Sequence, residues 1–158
     1  MTMALKDHGS FAGCSTIMPI DGPVITAVIR DEIRERDVPD EAIRRWTDPH
    51  LSIYIASVAI LESGDKKRDT YRGWFLLQHT IKWVIALYHQ YDIKKVYSVG
   101  VTPAGQTILE RMGFTQLNTL DGGKRKGFLL EDMSKPAHLL SRFLDGPGNT
   151  SPLDTPIL

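Results

Sequence analysis

Apolar residues recur along the chain at two spacings, and the alternation between them predicts a succession of strands and helices. "CSTIMPI", residues 14–20, is short, mostly apolar and rich in β-branched side chains, and Asp21-Gly22-Pro23 stops it. It reads as a strand followed by a helix start, with residues 2–7 able to pair with it as a hairpin. From Pro23 onward Val24, Ile25, Val28, Ile29 and Ile33 share one helical face, while Arg30, Asp31, Arg34 and Glu35 take the other. This predicts an amphipathic helix ending near Asp37. Pro39-Asp40 opens a second short helix through Trp46, because Asp40 suits an N-cap and Glu41 the positive end of a helix dipole.

"LSIYIASVAIL", residues 51–61, is apolar on both alternating sets, which predicts a central strand covered on both faces. The polar stretch "ESGDKKRDTYRG" then reads as a loop, and Trp74, Leu77, Ile81, Val84 and Tyr88 recur at helical steps as far as about Tyr91. "KKVYSVGV" predicts another buried strand. In "TPAGQTILERMGF", Thr102 is the N-cap, Pro103 the first helical residue and Gly113 the stop. "FTQLNTL" and "KGFLLEDM" predict strands joined across "DGGKRKG", whose Asp-Gly is a hairpin signal. A short helix is expected at 137–144, followed by a Gly-, Pro-, Ser- and Thr-rich tail, 145–158, loosely ordered or docked.

Strands alternating with helices and ending in a hairpin imply an α/β domain with a mixed sheet, at least one parallel pair and right-handed crossovers. Ligands on such sheets favour the C-terminal ends of strands, where residues 62–73 and 100–103 begin. The 158 residues suit one domain, expected over 1–144.

Lys plus Arg and Asp plus Glu both number 19, so no overall field draws the chain to nucleic acid or an anionic membrane, and any anion site must be local. The single cysteine, Cys14, cannot form an internal disulfide and reads as a buried thiol in a reducing, cytoplasmic setting. No apolar stretch approaches the roughly 20 residues that span a bilayer, and "MTMALKDHGS" lacks a signal peptide's apolar segment. His8, His79, His89 and His138 lack metal-ligand spacing.

The stretch "RDTYRG" carries the most chemistry. Gly73 is expected to turn the backbone tightly into the following helix, presenting free N–H groups and a positive dipole end to an anion. Lys66, Lys67, Arg68 and Arg72 add charge-assisted donors suited to a pyrophosphate. A solvated basic loop is the plain alternative.

Over residues 51–133, roughly half the chain, the sequence resembles the Gcn5-related N-acetyltransferase family. That family's acetyl-CoA loop has the form Arg/Gln-x-x-Gly-x-Gly/Ala, and "RDTYRG" supplies Arg68 first and Gly73 last. Leu76-Leu77 follow at the family's offset, and "VYSVGVTPAGQTILERMGF" is similar to its next strand and helix ending in Gly-Phe. The resemblance implies a GNAT-like acyl-CoA N-acyltransferase fold and direct acyl transfer, as an acetyltransferase, from acetyl-CoA or another acyl-CoA to an unidentified amine. Arg68, Arg72, Gly73 and Trp74 would then form the pyrophosphate site, with Thr102 beside it. Backbone N–H groups near Val58 and Ile60 would hold the pantetheine arm and polarise the thioester.

Three departures from the family pattern matter. Tyr71 stands where the first glycine is usual, Leu109 where a tyrosine can protonate the departing thiolate, and Thr102 where many members carry asparagine. Leucine donates no proton, so Tyr71 or water is the candidate acid. Glu62, His50 and Asp48 are the candidate bases, each with a plainer reading: Glu62 as a loop carboxylate, His50 and Asp48 as turn and capping residues. The N-terminal part is short for the family, so residues 21–48 would border the acceptor site. A catalytically degenerate module that binds CoA or a protein partner stays open beside the enzyme, as does a homo-oligomer.

Overall fold

The computed structural model describes residues 1–133. The helix expected at 137–144, the tail and His138 lie outside the described residues.

Six strands form one mixed sheet in the order β1-β2-β3-β4-β6-β5. β1 (Thr2–Asp7) and β2 (Ser10–Ile20) are the expected hairpin, turned at His8 and Gly9, both with positive φ. β3 (Leu51–Ile60) lies at the middle of the sheet, antiparallel to β2 and parallel to β4 (Ile93–Gly100). The crossover between them is α2 (Lys66–Gln90). After α3 (Pro103–Arg111) comes the hairpin of β5 (Thr115–Leu120) and β6 (Arg125–Leu130), and β6 inserts beside β4. None of the helices among the described residues is long and apolar enough to cross a membrane.

Both faces of the sheet are covered. On one side Ile17, Leu51, Ile53, Ile55, Val96 and Phe128 pack with Ile81, Val84 and Leu87 of α2. On the other, Ile20, Tyr54 and Tyr97 pack under Ile25 and Ile29 of α1 (Gly22–Ile29). This explains the consecutive buried apolar residues Ile53, Tyr54 and Ile55 of β3 and Val96 and Tyr97 of β4, where both sets of side chains are removed from water; Val58 and Ala59 of β3 and Lys94 of β4 lie outside this double cover.

The helices depart from expectation in three places. α1 ends at Ile29, not near Asp37, because Asp31 adopts a left-handed conformation (φ 62°) just past the cap. Its last turn rests on the bare backbone of β6, where a Cβ on Gly127 would lie 2.5 Å from Ile29 Cγ2. The second expected helix is a single 3-10 turn, Asp40–Ala42. There the chain pairs with β2 instead, Ile43 bridging Ile20 and Arg44 N donating to Pro19 O (3.0 Å). Most consequentially, α2 begins at Lys66, so residues 66–73 are two turns of helix and not a loop. Cys14 is only half-buried, between Ala4 and Ala59 of the flanking strands, rather than enclosed.

Candidate functional site

Two adjoining features lie beyond the C-terminal end of β3: a fork in the sheet and the charged start of α2. The fork arises from the pairing. β3 and β4 pair in parallel from Leu51↔Ile93 only as far as Ile55↔Ser98, after which β3 stays with β2 and β4 with β6. The divergence coincides with a bulge. Thr16 and Ile17 face Ser57 and Ile55, leaving Ala56 without an opposite residue. One extra residue bends a strand and shifts the alternation of its side chains. Ile55 and Val58, three apart, therefore line the same cavity.

Past the bulge the backbone of β3 is turned toward the gap at alternate positions. Leu61 N donates to Ala12 O of β2 (2.8 Å). Antiparallel ladders exchange hydrogen bonds at every second residue. The Ala59 and Ser57 groups thus face β2, whereas those of Val58 and Ile60 face the side that β4 has left. Val58 is 41% exposed. Beneath the fork lies a cavity of about 50 Å³ lined by Ile55, Val58, Leu77, Val84, Leu109 and Phe114 among others. Its two hydroxyls serve the backbone: Thr80 Oγ1 donates to Leu76 O (2.8 Å) and Ser98 Oγ to Ile55 O (3.4 Å) across the branching strands.

The far wall is built by α3. Thr102 caps it, accepting from Gly105 N (3.1 Å), and Pro103 occupies its first position as expected. Gly100 must lack a side chain there, since a Cβ would stand 2.7 Å from Gln106 Cγ and 3.0 Å from Phe128 Cε2. Gln106 Nε2 in turn donates to Gly100 O and Lys124 O, both at 3.1 Å. The helix is thereby tied to the end of β4 and to the β5–β6 turn.

The start of α2 is saturated by its own acids. Asp65 caps the helix, accepting from Lys67 N (2.9 Å) and Arg68 N (3.2 Å), so a carboxylate occupies the place an anion would take. Arg68 Nε and Arg72 Nε both donate to Asp7 Oδ2 at 2.8 Å. Those two guanidinium groups hold Asp7 well below the usual carboxylate range, at about 2. Arg72 also donates to Leu61 O (3.2 Å). Asp69 accepts from Ser63 Oγ (2.7 Å) and Ser63 N, and that hydroxyl lowers its pKa.

Gly73 therefore does not turn the chain into a helix. It sits two turns inside one, facing β3, with Ile60 Cδ1 4.0 Å from where its Cβ would be. Tyr71, two residues earlier, is about 200° around the helix and points away from the sheet, 67% exposed against Phe75. Trp74 is 40% exposed on the same helix. Glu62 lies at the fork's rim, in the exposed turn after β3. His50 and Asp48 sit at the opposite end of β3, engaged with Asp92 and Arg44, roughly 25 Å of strand away.

On the α1 face, Met18, Ile20, Glu35, Arg36, Val38 and Ile43 border an open groove of about 400 Å³. Tyr54 donates to Glu35 there (3.2 Å), and burial followed by that carboxylate pushes its phenol pKa upward.

Sequence reasoning missed the bulge at Ala56, the Ser98 bridge and the two acids, Asp7 and Asp65, that occupy the basic segment. The Asp65-to-Asp69 spacing ahead of a helical run was a legible cap signal. Asp7, 61 residues before Arg68, left no local trace.

No protein-family model and no curated protein matches the chain in sequence. Solved structures match in shape. A structure described as a bacterial toxin is 18% identical, with a TM-score of 0.51, over 90% of this chain and 71% of its own. FeeM, an N-acyl amino acid synthase from uncultured soil microbes, is 14% identical with a TM-score of 0.54, over 86% of this chain and 74% of its own. The C-terminal condensation domain of Ebony, solved with beta-alanyl-dopamine, is 10% identical with a TM-score of 0.50, over 83% and 72%. The chain has a mixed α/β fold of the acyl-CoA N-acyltransferase kind.

Proposed function

We propose that the protein is an acyl-CoA-dependent N-acyltransferase whose donor lies in the fork between β3 and β4. The observation that carries this reading is the fork itself: the Ala56 bulge turns the Val58 and Ile60 backbone toward a gap that opens onto an apolar cavity. Preplaced N–H groups beside an apolar site are what a thioester carbonyl and an amide-bearing pantetheine arm require.

Bound acyl-CoA supplies an activated acyl carbon, which an amine attacks as the new C–N bond forms and the C–S bond breaks. The Val58 and Ile60 N–H groups donate to the donor's oxygens. Glu62, in the exposed turn after β3, accepts the proton the amine loses, through water. Tyr71 is not placed to return a proton, and Leu109 has none to give, so the departing thiolate takes its proton from solvent. Arg68 and the exposed Lys66 and Lys67 meet the phosphates by their side chains rather than by a helix-end cup, because Asp65 fills that cup. Arg72 and Gly73 support this segment from the inner side, and Trp74 and Thr102 flank the donor. The amine enters from the side bordered by residues 21–48, where Glu35 and Arg36 edge the open groove.

A second reading is a degenerate relative that holds a CoA thioester or a protein partner without turnover. The Asp7 and Asp65 contacts that occupy the basic segment favour it. Thermal unfolding with and without acyl-CoA, followed by thiol release across an amine panel, separates the two. At one hundred times its Kd the ligand stabilises by about 2.7 kcal/mol. A shift with thiol release supports the enzyme, a shift without release supports the degenerate module, and no shift overturns the donor site.

A further inference from the structure

We infer that the cavity under the fork selects a short aliphatic acyl chain, of about four carbons, over acetyl. This rests on the donor reading above and names the class of acyl group it takes.

An acetyl group needs no room beyond its methyl. The cavity runs past Ile55 and Val58 of β3 to Leu77 and Val84 of α2 and to Leu109 and Phe114 on the α3 side. Its volume is about 50 Å³, and since an apolar cavity of about 150 Å³ holds the six carbons of benzene, it accommodates about two groups of methylene size beyond the acetyl methyl. Water is a poor occupant. Thr80 and Ser98 supply the only hydroxyls among its described lining residues, and both donate their protons to backbone carbonyls. A water there would lack the two to four partners that make burial favourable, whereas methylene groups need none.

Position also favours a chain attached at one end. Val58 contributes a side chain to the cavity, while its backbone groups face the gap. A thioester held by that backbone points its substituent past Ile55 and Val58 into the apolar space. Among the described residues the lining carries no charged side chain, and these walls disfavour a carboxylate- or ammonium-terminated acyl group by its desolvation. The occupant is a plain aliphatic chain.

The test uses the full chain and calorimetry with CoA, acetyl-CoA, butyryl-CoA, hexanoyl-CoA and butyryl-pantetheine. Affinity is expected to rise roughly fourfold per methylene from acetyl up to the length that fills the cavity. Equal affinity for CoA, acetyl-CoA and butyryl-CoA overturns the inference and leaves the donor reading standing. Binding of butyryl-pantetheine without any gain from CoA's phosphates supports the cavity and overturns the CoA reading. Failure of every probe overturns both.

Leu109→Phe and Val84→Phe fill the space from opposite walls. In whichever of them keeps a cooperative unfolding transition, the butyryl preference is expected to fall to the acetyl level while CoA affinity holds. A retained preference in a folded variant counts against the cavity.

Discussion

The first turns of α2 and the fork between β3 and β4 adjoin the same strand end, yet one is closed and the other open. At the start of α2, five ionic side chains lie within reach of one another: Asp7, Asp65, Asp69, Arg68 and Arg72. Opposite charges and free N–H groups satisfy each other there, leaving little for a ligand to complete. At the fork the sheet's own hydrogen bonding is interrupted, and the surrounding side chains are apolar or already bonded. Such a gap cannot close on itself, because the backbone groups of Val58 and Ile60 need polar partners that aliphatic neighbours do not offer. A cluster of charges is a weaker pointer to a site than a break in a ladder beside an apolar space.

The strongest way to break this contrast is to disturb what holds the fork apart. Gly100→Val places a side chain against Gln106 and Phe128 at contacts of 2.7 and 3.0 Å. Overpacking of this kind costs about 1–3 kcal/mol. The variant should unfold at lower urea concentration and lose acyl-CoA binding along with α3's position. Unchanged stability would mean that α3 is not seated by this contact, and the fork would not be a rigid feature.

The helix cap gives a smaller effect. Asp65→Ala removes the acceptor for Lys67 N and Arg68 N, at a cost of about 1 kcal/mol. It also uncovers the positive end of α2. If the contrast is right, the variant binds inorganic pyrophosphate several-fold more tightly than the parent, measurable by calorimetry. Equal affinity in both proteins would show that the parent's helix end already admits anions.

The sequence made most of the sheet legible because burial on both faces leaves consecutive apolar residues, Ile53 to Ile55 of β3 and Val96 and Tyr97 of β4. The hairpins were equally readable, Asp121-Gly122 turning β5 into β6. The start of α2 was not, since Lys66, Lys67, Arg68 and Asp69 show no apolar period: these turns are held by ion pairs to β1, and Gly73 read as a boundary although it lies in the helix interior. Residues 30–46 hide their structure for a related reason, because charges crowd an apolar period that Asp31 cuts short. Of the candidate site, Val58 and Ile60 were placed correctly on the strand. The bulge that aims their backbone depends on how β2 and β3 slide past one another, and the apolar run of residues 51–61 looks the same with or without it.

Acid should loosen the charged region before the fork, and this effect is the smallest because exposed ion pairs are screened by water and salt. Asp7 has a depressed pKa when folded, about 2 against an ordinary 3.8, through its bonds to Arg68 and then Arg72. A group shifted downward on folding contributes stability above its unfolded value and loses it as pH falls toward the folded one. The contribution of Asp7 is therefore complete above pH 4–5 and disappears as pH approaches about 2. Asp69 and Asp92 are also lowered, by Ser63 and by Lys94, and act in the same direction. Asp7→Asn should flatten the fall of unfolding free energy across this window, meeting the parent curve at its acid end, while butyryl-CoA binding at neutral pH stays within a few-fold. Should the variant instead lose binding at neutral pH while remaining folded, the Asp7 pairing itself would be what aims Arg68 at the phosphates, and the two regions would have to be treated as one.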